Sequence, residues 1–259
     1  MQKCNLCQIN QADKLKSHII PKFLSKRIFE NTKPRHTLAM RKTGKAFKIQ
    51  DTPKENNILC KACERRFEFI ETLFSRKITS INNFTNLKND FNIVVLGKNK
   101  ILECLKVNPT SFKIFIYSII WRASISKLEE FDKFKLPEGV EDKLRFFLNK
   151  NLCLSHSELI NSFDKIVDIP EYHFIVFKPV FRNESTRGIL SAYQIDLNKF
   201  GVFTVDFSIF FHVKDESIDP LSEIVSNKQN DKVRLVLAGT DAWRELNNSV
   251  VYRMLKNNK

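Results

Sequence analysis

Between residues 61 and 81 apolar positions recur every three or four residues. Phe67, Ile70, Phe74 and Ile78 fall on one face, which predicts an amphipathic helix. A second run opens at Pro109-Thr110-Ser111 and carries Phe112, Phe115, Ile116, Ile119, Ile120 and Ala123. It predicts a helix to about residue 127 with a broad buried stripe. Shorter helices are expected over 140–150, after a Pro137-Glu138-Gly139 turn, and over 241–256. Past residue 168 the period shortens to two. Strands are expected at 172–180, 188–195, 201–213 and 232–237, and their spacing predicts an antiparallel sheet. The pattern is weaker near the start of the chain. Residues 14–20 alternate toward Pro21, which lacks an N–H and ends a ladder. Phe23, Leu24, Ile28 and Phe29 have helical spacing within 22–30, and 37–51 reads as a hairpin turning at Thr43-Gly44-Lys45. Residues 82–108 are Asn-rich around one expected strand at 91–96.

These elements define an α+β protein with a compact module over 1–80 and a second domain over 81–259. That domain is helical over 109–150 and strand-rich over 170–240. An apolar fraction of 42% and a charged fraction of 28% are those of a globular chain. Six glycines leave little material for Gly-rich phosphate loops. The chain opens without an apolar leader, and its most apolar run, 112–125, is interrupted by Lys113 and Arg122. A soluble, cytoplasmic protein with no membrane partner is the expectation.

Charge changes the picture. The net charge is +14, and residues 1–78 carry 18 Lys/Arg against 7 Asp/Glu. From Lys14 to Lys48 there are eleven positive residues and a single acid, Glu30. So one-sided a field favours a polyanion such as nucleic acid. Lys22, Arg27, Arg41, Lys42 and Lys45 are the candidate phosphate contacts, with Lys26, Arg35 and Lys48 beside them.

Two CxxC pairs bracket this basic segment: Cys4 with Cys7, and Cys60 with Cys63. Each pair can place two thiolates on one tetrahedral ion, and two such knuckles complete a four-sulfur structural zinc site. A closed site of this kind activates no water. Its expected role is to supply folding energy to residues 1–80, so that chelation unfolds them. Cys104 and Cys153 have no partner motif and are expected to be core thiols.

The segments Cys4–Cys7, Ser17-His18-Ile19-Ile20-Pro21 and Asn56–Glu64 together resemble the zinc-stabilised HNH, or ββα-metal, endonucleases. Trp121-Arg122-Ala123-Ser124 resembles a helix that follows in a poorly characterised bacterial and phage-associated group of that superfamily. The resemblance covers about the first 80 residues. It implies a ββα-metal module in which His18 is the general base, Glu64 helps hold a catalytic Mg²⁺ or Mn²⁺, and Asn57, or its neighbour Asn56, orients the loop carrying the histidine. It further implies hydrolysis of DNA phosphodiesters, in phage defence or in a mobile element. One position departs from the pattern. Active members commonly carry an acid or histidine just before the catalytic His, and here it is Ser17; Glu64, Glu68 or Glu71 would have to compensate. The alternative reading is a zinc module that binds nucleic acid without cutting it. Another is a subunit of a larger complex that docks a protein partner through the C-terminal domain. Trp121 and Arg122 are expected mainly to pack the core, or else to join the module to that domain.

Overall fold

The computed structural model describes residues 2–29, 37–40, 46–82, 89–180, 189–215 and 218–256. Its first strand, β1 (Ser17–His18), is only two residues long. Two 3₁₀ turns, Lys22–Leu24 and Lys26–Phe29, replace the α-helix expected over 22–30. They are separated at Ser25, whose N–H and hydroxyl both turn back onto the Lys22 carbonyl. A hydroxyl competing for a carbonyl in this way favours a tight turn over helix propagation. Strands β2 (Thr37–Met40) and β3 (Ala46–Ile49) pair antiparallel, as the hairpin pattern predicts. The turn between them, with Arg41, Lys42 and Lys45, lies outside the described residues, as does Arg35. Strand β4 (Lys54–Glu55) returns to pair antiparallel with β1, Ser17 opposite Glu55 and His18 opposite Lys54. Helix α1 (Lys61–Asn82) follows. Two short paired strands and a helix therefore form the frame of the N-terminal region, with β2–β3 as an excursion from it.

Strands β5 (Phe91–Leu96) and β6 (Asn99–Cys104) form a tight hairpin, of which the sequence pattern showed only the first half. Helix α2 (Pro109–Ile125) starts at a capping Asn108, whose side chain accepts from Ser111 N–H, with proline at the first helical position. Helices α3 (Glu138–Asn151) and α4 (His156–Ser162) follow. Glu138 and Gly139 lie inside α3 instead of in a turn before it. Strand β7 (His173–Pro179) is followed by β8 (Ser191–Asp196), β9 (Lys199–Phe203) and β10 (Ser208–His212). The single strand expected over 201–213 thus divides, and the Thr204 side chain closes the turn by bonding both the N–H and the carbonyl of Phe207. Helix α5 (Pro220–Val225), strand β11 (Val233–Ala238) and helix α6 (Thr240–Lys256) complete the chain.

Seven strands make one sheet in the order β5-β6-β11-β7-β10-β9-β8. The sheet is mixed and not wholly antiparallel, because β11 runs parallel to β7. The chain reaches β11 from β10 through α5, and β11 fills the slot between β6 and β7. The β5–β6 hairpin precedes helices α2 to α4 yet belongs to the same sheet as the later strands.

Helix α2 is buried on every side from Thr110 to Ser124, so the expected one-sided stripe is a central helix. Three neighbours enclose it. Phe115 stacks on Phe74 of α1 at 4.4 Å between ring centroids, Tyr117 meets Phe147 of α3 edge-on, and Phe112 meets Phe174 of the sheet. One continuous buried cluster runs from Cys4 to Leu237. The cysteine knuckles therefore share a core with the sheet. Among the described residues no helix is long and apolar enough to cross a membrane.

Candidate metal centre and the histidine beside it

The ligand atoms of Cys4, Cys7, Cys60 and Cys63 all lie within 4.8 Å of one another. Tetrahedral zinc with Zn–S bonds of about 2.3 Å has sulfurs about 3.8 Å apart, so the four can close on one ion with small adjustments. Backbone bonds hold the knuckles together. Asn5 N–H donates to Ile58 O, Lys14 N–H to Leu59 O, and Asn57 N–H to Lys14 O. The first knuckle turns at Gln8, whose φ is 58°, and Gln8 N–H closes onto Cys4 O. The second opens α1, whose Lys61 N–H is capped by the Asp13 carboxylate.

The sulfurs are also supplied with donors. Cys63 N–H and the Asn10 amide point at Cys60 Sγ, and Arg66 points at Cys63 Sγ. The same guanidinium bonds the Leu152 carbonyl and the Asn149 side chain, tying the knuckle to the end of α3. A hydrogen bond from Cys63 holds the Cys4 thiol down at about 4 and pushes the Cys63 thiol well above its ordinary value; burial raises Cys60. Without a cation the cluster thus favours one negative charge and resists more. A divalent ion lets all four ionise, and the N–H donors suit thiolates, so the donor set fits zinc. Among the described residues this is the one group of three or more Cys, His, Asp or Glu close enough to hold an ion.

β1 leaves this clamp carrying Ser17 and His18, whose side chains point to opposite faces of the strand. Asn56 fixes the loop before it by accepting from Lys16 N–H at 2.9 Å. Asn57 is an exposed left-handed turn residue with φ 58°. His18 is half-buried, and its Nδ1 lies 2.6 Å from the hydroxyl of buried Thr52. Burial lowers its pKa to about 4, aided by Lys54, Lys22 and Arg122 and opposed by Asp51. Asp51 itself bonds Lys54 at 2.6 Å and lies 3.9 Å from Lys22. Burial alone would raise its pKa, but Lys54 and the Thr52 N–H outweigh it and hold the carboxyl below its usual range. Near pH 7 the imidazole is neutral, its other nitrogen is clear of the Thr52 bond, and two lysines and a carboxylate surround it.

Glu64 lies with Ser17 on the other side of the strand. It is 8% exposed, and burial raises its pKa against the pull of Arg122 and the Ser17 side chain. Ser17 Oγ and Glu64 Oε2 are nevertheless buried without a formed hydrogen bond. Arg122, 1% exposed, reaches into this space from α2. Its Nη1 donates to the His18 carbonyl at 3.0 Å and lies 2.6 Å from Glu71 Oε1. Its Nε donates to Ser118 O, and its plane lies over the Phe67 ring. Phe67 also stacks on Trp121. The segment Trp121-Arg122 thus joins α2 to both α1 and β1. Glu55 adds a second tie, accepting from Ser126 Oγ and from Lys127 N–H just past the end of α2.

Lys22 is exposed and forms, with Phe23, Lys26, Glu68, Glu71, Thr72 and Ser75, an open groove along α1. Arg27 lies in the second 3₁₀ turn, and its side chain is outside the described set. The structure brings His18 and Lys22 to one face and places Glu64 on another. Thr52, Asp51 and Lys54 escaped the sequence pattern, since only the β1–β4 pairing carries them to His18; an Asp-Thr-Pro step directly after a hairpin was the available signal. No protein-family model matches the chain, and no curated protein and no solved structure matches it.

Proposed function

We propose that the protein is a zinc-stabilised, HNH-type endonuclease module that hydrolyses DNA phosphodiesters, with His18 as general base. The observation that carries this reading is the neutral His18 imidazole, oriented by Thr52 and set between Lys22 and Lys54. Hydrolysis of a phosphodiester needs a base to take a proton from water and cations to receive the phosphate oxygens. His18 removes the proton at its free nitrogen. Lys22 and Lys54, now on Asp51, turn to the phosphate, which frees the carboxylate. A Mg²⁺ or Mn²⁺ held by Asp51 would offset the charge that develops on the phosphate. Asp51 takes the part that the family resemblance implies for Glu64, because it faces the imidazole. The basic residues over 14–48 position the backbone of the nucleic acid without reading bases.

The test is nicking of supercoiled plasmid with Mg²⁺ or Mn²⁺. Wild type is expected to nick, and His18→Ala to lose at least about 100-fold in rate, the usual contribution of a general base. Equal rates for the two proteins would remove His18 from the chemistry.

One observation favours a second reading, binding without cleavage. The family pattern sets a metal between the residue before the histidine and the residue after the last cysteine. Here those residues are Ser17 and Glu64, and the buried Arg122 cation stands beside them. On this reading Arg122 supplies the positive charge that the ion supplies elsewhere, and the scaffold holds nucleic acid only. Salt-dependent DNA binding with no nicking under any divalent ion would establish it in place of the first.

A further inference from the structure

The two edges of the seven-stranded sheet are built differently. β8 is guarded: it is bulged between Gln194 and Asp196, Gln194 N–H donates to the Lys133 carbonyl, and Arg253 donates to the Ile195 carbonyl. β5, at the other edge, pairs with β6 alone among the described residues. Its six residues, Phe91–Leu96, include no charged side chain, and Ile93, Val94 and Val95 are 49%, 38% and 65% exposed. Edge strands are ordinarily protected by lysine, proline, a bulge or a covering element, since a bare edge templates another strand.

The hairpin geometry says which groups are offered. β5 and β6 join through a two-residue turn, Gly97-Lys98, with Gly97 at φ +59° and Leu96 paired with Asn99. The pair flanking such a turn is hydrogen-bonded. Leu96, Val94 and Asn92 therefore direct their backbone groups at β6, and Ile93 and Val95 direct theirs outward.

We propose that β5 pairs with β5 of a second copy of this chain, antiparallel, about a two-fold axis at Val94. In that register Ile93 stands opposite Val95 of the partner subunit, so outward-facing groups meet outward-facing groups. The ends of the strand then select the occupant. Asp90 precedes β5 and Lys98 sits in the turn after it, so the two-fold brings Lys98 of the partner subunit toward Asp90 at both ends. Asp90 already pairs with its own Lys106, and Lys98 is exposed. A second copy thus covers the hydrogen-bonding edge and the apolar side chains and gives exposed Lys98 an acidic neighbour. The contact is isologous and closes at two, which spares the chain open-ended stacking.

The test is the mass of the full chain in solution by light scattering, together with a symmetric cross-link. Wild type is expected at twice the 30.4 kDa of one chain. Val95→Lys, at an exposed position, is expected to halve that mass while keeping the melting temperature of the fold. Val94→Cys is expected to form an intermolecular disulfide mapped to position 94, because Cα atoms of a non-hydrogen-bonded pair are about 4.5 Å apart. A monomeric wild type overturns the proposal, and so does a dimer whose mass Val95→Lys leaves unchanged. So does an oxidised Val94→Cys variant without that link.

Discussion

At the scale of single residues, the chemistry of the N-terminal region divides on the two sides of Ser17 and His18. One side carries a half-buried, neutral imidazole among Thr52, Asp51, Lys22 and Lys54; the other a closed polar cluster around Arg122. Arg122 is a buried charge with several partners, so its loss should be expensive. Arg122→Ala is expected to lower stability by about 3–5 kcal/mol in urea unfolding, because Glu71 and the His18 carbonyl would be left without their cation. Pairing Arg122→Met with Glu71→Gln should recover part of that loss, since an uncompensated charge costs more than a missing pair. The cysteine tetrad was legible in the sequence because metal ligation imposes a short spacing on each knuckle. Arg122 stood out as a cation in an apolar run and as part of the Trp-Arg-Ala-Ser segment, but its partners were hidden, since Glu71 and the His18 carbonyl lie far away in the chain.

Among elements, α1 and α2 were readable because each must bury a repeating apolar face over many turns. The two-residue strands β1 and β4 were not, since their pairing joins Ser17 to Glu55 across the whole β2–β3 excursion and leaves no local period. For that reason Asp51 and Thr52 went unseen beside His18. The parallel pairing of β11 with β7 was hidden likewise, because alternation shows that a strand is half-buried but not which neighbour it takes. The α1–α2 contact carries the joint between the knuckles and the sheet. Phe74 is fully buried against Phe115, and Phe74→Ala is expected to cost about 3–5 kcal/mol by the same measurement. In β9, a Cβ on Gly201 would lie 2.6 Å from the Phe203 ring. Gly201→Ala should therefore cost about 1–3 kcal/mol, read as a lower melting temperature.

Over the whole molecule, one core extends from the knuckles to the far strands, which bears on the response to acid and to chelators. His18 and His212 are held at about 4 by burial, and burial also lowers His173. Between the ordinary histidine value of 6.5 and about 4, the unfolded chain binds more protons at these sites than the folded one. Stability is then fully present above 6.5 and declines as the pH falls through that window. Glu64, raised by burial, acts in the opposite sense, and three histidines outweigh one carboxyl. Unfolding midpoints in urea should accordingly fall from pH 7 to pH 4; a flat profile would contradict the burial of these rings. The expectation that chelation unfolds all of residues 1–80 also narrows. α1 is anchored on α2 by Phe67 and Phe74, so stripping the metal should raise amide exchange in the knuckles and in β1 and β4 while the rest of α1 stays protected. The clamp on His18 is thus a local device built onto a larger core. Its most direct test is metal content. The account predicts one zinc per chain in the freshly purified protein and none in Cys60→Ser/Cys63→Ser; a native protein without zinc, or a double variant that keeps it, would contradict the four-sulfur centre.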